Sequence, residues 1–415
     1  MSVITLTEGQ QTAYEAFQKF ILSTTQNVFV LEGYSGTGKT TLVERILEFV
    51  PKLLKLYKVV NPKENLHWNV KLTATTNKAA EAFSQITGQD VQTIHSALNL
   101  RVHKDYNTGK TKLVSRYNAE KLNNTILFID EASYIDHALL KLIFEQTENC
   151  KLIFIGDPAQ LLNVGCTKSP VFNKHFPTAK LTEVVRQAKG NPIIDLATSF
   201  RHTVNTGEFF SFTPDGVHIQ YMDRDAFENA IIKEFDDPTW THSRSKVLAW
   251  TNRTVIQYNH AIRDHVKGAP DFAVGDYAIC NKFVANKSCN IKTDQLVLIN
   301  NIGNVEDNCG IQGRWYSLDH RHTAFMPDSL DDKKALQKRA TASKETALLR
   351  TIDEWIDLRA AYACTINKAQ GSTYDSVFID LDDIKKCNNG DQIARMLYVG
   401  VSRARNTVYL CGDLV

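Results

Sequence analysis

The 415-residue chain lacks the features of a membrane, zinc-binding or secreted protein. Its eight cysteines include no C-x-x-C pair, which argues against a zinc site or a thioredoxin-like centre and favours reduced thiols. No apolar run is long enough to span a bilayer, and the opening Met1-Ser2-Val3-Ile4-Thr5 has no basic start of a secretory leader. We therefore expect a cytoplasmic protein, in the cytosol of a bacterium or of a phage-infected host, with no membrane partner.

A strong charge excess is also lacking, because 48 basic residues stand against 46 acidic ones and the formal net charge is +2. This balance excludes a protein that coats nucleic acid through charge alone, so any positive track must be local. The sequence also shows no internal repeat and no low-complexity segment.

What the sequence does contain is a phosphate-binding loop. The segment Gly33-Tyr34-Ser35-Gly36-Thr37-Gly38-Lys39-Thr40 fits G-x-x-x-x-G-K-[ST], and it lies between the apolar run 28–31 and a helical pattern from Thr41 to Val50. Glycines let backbone N–H groups surround a triphosphate, Lys39 can reach its β- and γ-phosphates, and the Thr40 hydroxyl can hold Mg²⁺. An unrelated glycine-rich turn is the alternative, but strand and helix on either side favour a nucleotide site.

Two further apolar runs end in polar residues suited to nucleotide hydrolysis. Residues 125–129 are followed by Asp130 and Glu131, of which the first can hold Mg²⁺ and the second can polarise the attacking water. Residues 152–155 lead to a Gly-Asp-Pro-Ala-Gln segment, whose Gln160 can sense the γ-phosphate by hydrogen bonding. The alternatives are a solvated acidic pair at a helix start and an ordinary turn.

Apolar strands alternate with helical stretches up to about residue 185, and the alternation resumes near residue 246. This order predicts an α/β protein with parallel sheets flanked by helices, and the length allows two to three domains.

Two inserts interrupt the alternation. Residues 101–121 read as two short strands around an Asn107-Thr108-Gly109 turn, and carry six basic residues against two acidic ones. A solvated loop with an ordinary lysine-rich edge is the alternative interpretation of this segment. Residues 270–350 contain short β-like pieces and a charged helical stretch near residues 331–345.

The order of the motifs resembles that of superfamily 1 nucleic-acid helicases, most closely in the RecD-like branch. The matching segments are Gln10, the loop ending Lys39-Thr40, Thr75-Thr76-Asn77-Lys78-Ala79-Ala80, Thr93-Ile94-His95, Asp130-Glu131-Ala132-Ser133, Gly156-Asp157-Pro158-Ala159-Gln160, Arg186, Asn367-Lys368-Ala369-Gln370-Gly371-Ser372 and Tyr398-Val399-Gly400-Val401-Ser402-Arg403-Ala404. Two departures concern DNA contacts: Ala74-Thr75-Thr76 replaces the usual Ala-Pro-Thr, and Asn367 stands where histidine is common.

The resemblance implies two RecA-like P-loop lobes with ATP bound between them. The first lobe would comprise residues 1–96 and 122–185, with residues 97–121 as a β-hairpin pin. The second would comprise residues 186–269 and 351–415, with residues 270–350 as an SH3-like insert that carries a helical arm.

For the nucleotide, the resemblance implies ATP and Mg²⁺ as cofactors, with Gln10 as adenine reader and Arg186 and Arg403 as arginine fingers. The alternatives are a capping-box role for Gln10, a salt bridge to Glu183 for Arg186 and a helix-face charge for Arg403. The predicted catalytic residues are Lys39, Asp130, Glu131, Gln160, Arg186 and Arg403, and the predicted metal ligands are Thr40 and Asp130. The predicted nucleotide-binding residues are Gln10, Gly33, Ser35, Gly36, Thr37, Gly38, Lys39, Thr40, Thr41, Gly371 and Arg403.

For nucleic acid, the resemblance implies single-stranded DNA and single-strand/duplex junctions as partners, held through phosphates and sugars. The predicted contacts are Lys78, Thr93, His95, Asn252, Thr365, Lys368 and Gln370, and Tyr106 as the stacking residue of the pin. The implied function is an ATP-dependent DNA helicase that moves 5′ to 3′ as a monomer, with replication or single-strand-binding proteins as further candidate partners. An ATP-switched binding subunit, or a remodeller of proteins or RNA with little duplex unwinding, is the alternative.

Overall fold

The computed structural model describes residues 6–61, 68–104, 111–163, 166, 168–173, 175–183, 190–269 and 271–414. These residues form two compact units. The first takes the described parts of Met1–Val102, Leu113–Ser211 and Ala394–Ser402, and the second those of His103–Lys112, Phe212–Ile393 and Arg403–Val415. These bounds differ from the predicted four-part division, which stays a prediction.

Up to residue 211 the helices are α1 (Glu8–Leu22), α2 (Lys39–Val60), α3 (Asn77–Thr87), α4 (Ile94–Ala97), α5 (His137–Glu145), α6 (Pro170–Asn173) and α7 (Pro192–Thr206), with a 3-10 turn at Ala132–Tyr134. The strands are β1 (Val28–Gly33), β2 (Asn69–Ala74), β3 (Val91–Thr93), β4 (Leu100–Lys104), β5 (Thr111–Ser115), β6 (Leu122–Asn123), β7 (Thr125–Asp130), β8 (Thr147–Glu148), β9 (Lys151–Gly156) and β10 (Thr178–Leu181).

Six of these strands build the sheet of the first unit in the order β10-β1-β9-β7-β2-β3, and every pair is parallel. Alternate residues of the central strands β1, β9 and β7 enter two different cores. In β7, Phe128 packs with Phe17 and Phe20 of α1, whereas Leu127 packs with the apolar face of α5. Helices therefore cover both faces of the sheet, which explains why its central strands are apolar throughout.

From residue 212 the helices are α8 (Arg224–Phe235), α9 (Asn252–Lys267), α10 (Leu330–Ala342), α11 (Thr346–Glu354), α12 (Ile366–Ala369), α13 (Leu381–Ile384) and α14 (Gly390–Val401). The strands are β11 (Ile219–Met222), β12 (Ser245–Ala249), β13 (Tyr277–Cys280), β14 (Val284–Ala285), β15 (Asn290–Ile291), β16 (Leu296–Asn308), β17 (Ile311–Leu318), β18 (His322–Pro327), β19 (Leu358–Arg359), β20 (Ala363–Thr365), β21 (Tyr374–Asp380) and β22 (Ala404–Cys411).

The second unit contains a parallel sheet and an antiparallel one. The parallel sheet has the order β11-β22-β21-β12-β20. The antiparallel sheet, β18-β17-β16-β13-β19, lies in the region of the predicted SH3-like insert and extends beyond residue 350 through β19. The charged stretch near residues 331–345 forms most of α10, which packs with α11. Whether this region is an SH3-like barrel stays a prediction.

Strands β4 and β5 lie in the segment of the predicted hairpin and form a sheet of two strands, while the hairpin itself stays a prediction. Its predicted Asn107-Thr108-Gly109 turn and Tyr106 lie outside the described residues. The pin function therefore stays a prediction.

Candidate nucleotide-binding and catalytic site

The sheet of the first unit brings the predicted nucleotide motifs to one edge. Strands β1, β9, β7 and β2 are neighbours in this order, and because they are parallel their carboxyl ends share an edge. The phosphate loop follows β1, the Asp157–Gln160 turn follows β9, and the Asp130–Glu131 pair ends β7. Ligands of open α/β sheets bind at this edge, so the topology supports the predicted site.

The phosphate loop has the backbone that its glycines permit. Gly36 and Gly38 have φ values of 81° and 74°, in the left-handed region that side chains disfavour. A Cβ on Gly33 would come within 2.7 Å of the Thr37 hydroxyl, so this position also requires glycine. The Lys39 ammonium donates to the carbonyl oxygens of Gly33 and Tyr34 at 2.6 and 2.9 Å. The loop thus holds its lysine beside the start of α2, where backbone N–H groups attract an anion.

Thr40 and Asp130 supply the hard oxygen donors that Mg²⁺ prefers, so they fit the predicted metal site. Among the described residues no group of three His, Cys, Asp or Glu side chains could hold a metal ion by itself. Phosphate oxygens and water would therefore complete the coordination, as is usual for Mg²⁺ at nucleotides. Burial, followed by the Glu131 charge, raises the pKa of Asp130, and the Lys39 charge opposes this shift.

Glu131 adopts a backbone conformation that is rare for its residue type. Its φ and ψ are 55° and 45°, which is the left-handed region. For a residue other than glycine this costs about 1–2 kcal/mol. Its carbonyl accepts hydrogen bonds from the Tyr134 N–H at 3.2 Å and from the Thr75 hydroxyl at 3.0 Å. The structure thus holds the predicted catalytic carboxylate on a strained backbone, a common feature of active sites.

Gln10 takes part in two interactions at once, so both interpretations of this residue have a structural basis. Its side-chain oxygen accepts from the Thr7 N–H at 3.0 Å, and the Thr7 hydroxyl accepts from the Gln10 N–H, which is a capping box. Its side-chain nitrogen donates to the carbonyl oxygens of Thr37 and Gly38 at 3.3 and 3.4 Å. Gln10 is therefore buried against the phosphate loop, and its role as adenine reader stays a prediction.

Tyr398 and Arg395 are two residues of the site to which the sequence reasoning gave no role. The Tyr398 hydroxyl donates to the fully buried Asp157 carboxylate at 2.6 Å and accepts from the Ser35 N–H at 2.9 Å. Arg395 donates to the carbonyl oxygens of Pro158 and Gln160 at 2.7 and 2.9 Å. Tyr398 is the first residue of the 398–404 motif, so the sequence did indicate that it belongs to a functional segment. Nothing in the sequence marked Arg395.

The Asp157 carboxylate organises this part of the site. Besides Tyr398 it accepts from the Ser35 N–H at 3.0 Å and from the Ala159 N–H at 2.9 Å. The phosphate loop and the turn that carries Gln160 are therefore joined by one buried carboxylate. Burial, followed by the Asp157 charge, raises the pKa of Tyr398 well above its usual value, so the phenol remains protonated.

Arg201 of α7 is a further residue that the sequence reasoning missed. Its guanidinium lies 3.8 Å from the centre of the Tyr34 ring, in the phosphate loop. This is a cation–π contact, and it places a positive charge beside the loop. No motif in the sequence marked this arginine.

In the second unit, Arg403 lies directly before β22 and is buried. It donates to the carbonyl oxygen of Ser372 at 3.0 Å, and its own carbonyl accepts from the Tyr374 N–H at 2.8 Å. The neighbouring Gly371 has a φ of 79°. The structure thus brings together the two residues of this unit that were predicted to bind nucleotide. Arg186, the other predicted finger, lies outside the described residues.

The sequence of the chain is similar to those of known protein families and proteins. Residues 5–221, more than half of the chain, match the family described as AAA domain, and residues 360–411 match the UvrD-like helicase C-terminal domain. The ATP-dependent DNA helicase dda of Enterobacteria phage T4 is 26% identical, with 97% of this chain and 98% of that protein covered. The chain belongs to the superfamily 1 helicases. Within them it falls in the RecD-like branch, as the sequence predicted.

Two further similarities involve other helicases. The RecD2 DNA helicase of Deinococcus radiodurans is 31% identical over 42% of this chain, which corresponds to 21% of that protein. A solved structure of Pif1 helicase from Bacteroides, with ADP-AlF3 and ssDNA, is 17% identical with a TM-score of 0.49. That similarity covers 99% of this chain and 93% of the Pif1 chain.

The two parallel sheets of this helicase belong to RecA-like lobes, so the predicted α/β fold class is confirmed. Each sheet also carries predicted DNA contacts at its carboxyl edge. In the first unit, Lys78 lies in the first turn of α3, while Thr93 and His95 lie at the start of α4. Burial lowers the pKa of His95, and the Asp136 charge opposes this shift.

The predicted DNA contacts of the second unit follow β12 and β20. Thr365 caps α12, and Lys368 forms an ion pair with Asp294 at 2.7 Å. The Asn252 side-chain oxygen accepts from Arg359 at 2.8 Å, and Gln370 is buried. Lys368 would have to exchange its carboxylate partner for a phosphate on binding DNA. These contacts stay predictions, as does stacking by Tyr106.

Across the part of the chain that the structure describes, we find no helix with the length and apolar character required to cross a membrane.

Proposed function

We propose that this helicase hydrolyses ATP and uses the energy to move 5′ to 3′ along single-stranded DNA, opening duplex DNA ahead of it. The direction rests on its similarity to the RecD-like branch. Mg²⁺ and ATP are the proposed cofactors, and single strands and their junctions with duplex are the proposed substrates. Replication or single-strand-binding proteins, the monomeric state and the cytosolic compartment remain predictions.

One observation carries the proposal, namely the adjacency of three strand ends in the first sheet. The phosphate loop after β1, the Asp157–Gln160 turn after β9 and the Asp130–Glu131 pair after β7 meet at a single edge. A nucleotide held by the first would expose its terminal phosphate to residues of the other two. A site that only binds nucleotide does not need a carboxylate held in a strained conformation beside it.

Each residue of the site would have its own role in hydrolysis. Lys39 would leave the carbonyl oxygens of Gly33 and Tyr34 for the β- and γ-phosphates. Mg²⁺, held by Thr40 and Asp130, would neutralise phosphate charge. Glu131 would accept a proton from the attacking water, and Gln160 would donate to the γ-phosphate through its side-chain amide. Arg403, with Arg186, would stabilise the charge that develops on the phosphate oxygens.

DNA binding would use local groups instead of net charge. Lys78 and Lys368 would neutralise phosphates, while Thr93, Asn252 and Thr365 would bind the backbone without reading bases. Affinity should therefore fall as salt increases, because each neutralised phosphate releases counterions. An affinity that is flat between low and moderate salt would contradict a backbone-tracking surface.

Strand displacement tests the proposal directly. The substrates are a duplex with a 5′ single-stranded tail and the same duplex with a 3′ tail, with ATP and Mg²⁺ present. We expect only the 5′-tailed duplex to open, and Lys39→Ala to open neither. Opening of only the 3′-tailed duplex would refute the proposed direction.

A result in which neither duplex opens would favour the alternative function. If single strands still stimulate ATP hydrolysis, the chain is an ATP-switched binding subunit or a remodeller of proteins or RNA. If Lys39→Ala hydrolyses ATP as fast as the parent, the assigned site is wrong.

A further inference from the structure

The end of β2 is joined to the catalytic turn by Thr75. Strands β2 and β7 are parallel neighbours, with Ala74 opposite Asp130. One residue beyond this pair, the Thr75 N–H donates to the Asp130 carbonyl at 3.2 Å, and the Thr75 hydroxyl donates to the Glu131 carbonyl at 3.0 Å. Thr75 itself is buried. Its side chain therefore contributes to the position of the Glu131 backbone.

The Glu131 peptide is sensitive to such a contact because of its left-handed conformation. The Tyr134 N–H that donates to this carbonyl comes from the 3-10 turn that Glu131 itself begins, whereas the Thr75 hydroxyl comes from a separate segment, directly after β2. A shift of Thr75 would therefore change the direction of the Glu131 side chain relative to the phosphate loop.

The segment that follows Thr75 carries one predicted DNA contact, Lys78. Thr76 caps α3, its hydroxyl accepting from the Ala79 N–H at 3.2 Å, and Lys78 lies in the first turn of that helix. Only two residues separate Thr75 from Lys78. A DNA strand that binds Lys78 therefore acts on a segment that begins at Thr75, which is hydrogen-bonded to the catalytic turn.

We propose that Thr75 is a positioning residue that couples DNA binding at the 75–78 loop to ATP hydrolysis at Glu131. This inference rests on the proposed function. A residue without a side-chain hydroxyl at this position could not form the bond to the Glu131 carbonyl, and proline, which also lacks an N–H, could form neither bond.

Thr75→Val tests the role, because valine keeps the β-branched shape and removes the hydroxyl. Thr73→Val is a matched control. Thr73 is fully buried in β2, two residues before Thr75, and its hydroxyl donates to the Phe128 carbonyl of β7 at 2.7 Å, away from the catalytic turn. Thr75→Ser restores a hydroxyl and should restore the coupling.

The measurement is the kcat of ATP hydrolysis with and without an oligothymidine single strand, together with the KM for ATP. For Thr75→Val we expect the ratio of DNA-stimulated to DNA-free kcat to fall at least fivefold, with the KM within twofold of the parent. Thr73→Val and Thr75→Ser should keep the ratio within twofold. Thermal unfolding of each variant, with and without nucleotide, establishes that it is folded.

Two results in the valine variants would overturn the inference: an unchanged ratio in Thr75→Val, or an equal fall of the ratio in Thr73→Val. A Thr75→Val protein that loses both rates equally has an unchanged ratio, which would mean that Thr75 supports the turn regardless of DNA. If Thr75→Val does not fold, Thr75→Ser decides the test. A lowered ratio in Thr75→Ser, which keeps the hydroxyl, would overturn the inference. A parent protein with no DNA-stimulated hydrolysis would instead overturn the proposed function.

Discussion

The Tyr398 hydroxyl joins the phosphate loop to the turn that carries Gln160, so its removal should weaken both. Tyr398→Phe keeps the ring and deletes the hydroxyl. The Asp157 carboxylate would keep its bonds from the Ser35 and Ala159 N–H groups and lose the short bond from the phenol. Ser35 would keep Asp157 as its acceptor, so the loop should loosen without collapsing.

The expected magnitude follows from the charge on Asp157. A hydrogen bond to a charged group contributes about 1.5–3 kcal/mol, and Asp157 has no exposed surface through which water could replace the phenol. If about half of that energy, about 0.75–1.5 kcal/mol, is lost from the nucleotide-binding conformation, the KM for ATP rises about four- to tenfold, since 1.4 kcal/mol corresponds to a factor of ten.

Two assays check this prediction. Hydrogen–deuterium exchange should show faster exchange at the phosphate loop, and steady-state kinetics should show the higher KM at pH 7 and equally at pH 9. The effect should not depend on pH in this range because the pKa of Tyr398 is raised well above its usual value. Tyr409→Phe is the control, since its ring stacks on Phe378 in the other unit. An unchanged KM in Tyr398→Phe, or the same rise in Tyr409→Phe, would refute the reasoning.

Three further predictions follow from the first unit. Gln10→Ala should lose the preference for ATP over GTP in competition assays, and an unchanged preference would leave Gln10 its bonds to the phosphate loop and its capping role, the latter worth about 1 kcal/mol. Lys151→Met should lower the free energy of unfolding in urea by about 2–4 kcal/mol, because the buried ammonium donates to the carbonyls of Phe20, Ser23 and Gln26; the exposed Lys141→Met should change it by less than about 0.5 kcal/mol. Below pH 6.5 the unfolded chain binds a proton at His95 that the folded chain does not, since the pKa of His95 is lowered on folding. The free energy of unfolding should therefore fall as pH decreases, by at most about 1.4 kcal/mol per pH unit for this group. When this free energy is measured by urea unfolding between pH 6.5 and 5, His95→Gln should reduce its slope against pH, and an unchanged slope would contradict the prediction.

Much of the fold was predictable because parallel α/β units have strong local signals. The runs 125–129 and 152–155 became β7 and β9, since strands covered by helices on both faces are apolar throughout. The phosphate loop was predictable for a similar reason, as its glycines are required by the positive φ values of Gly36 and Gly38. The bounds of the compact units were not, because contacts between distant segments decide them.

Residues that act through tertiary contacts left little trace in the sequence. Arg395 lies 235 positions beyond Gln160 in the chain, yet it donates to the Gln160 carbonyl. Arg201 lies against Tyr34 in the same way, although no pattern links the two. The bonds of Thr75 depend on which strand lies beside β2, which is a property of sheet order.

The sequence by itself determined the chemistry of this helicase: a loop that binds phosphates, two acidic residues after a buried strand and a family order of motifs. These signals are local, since each depends on the φ, charge or apolarity of a few consecutive residues. Only the tertiary structure decided which groups support one another. Sheet order set Thr75 beside Glu131, and packing of the 394–402 segment set Tyr398 on Asp157. Such contacts depend on distances between segments that are far apart in the chain, and no local pattern encodes them.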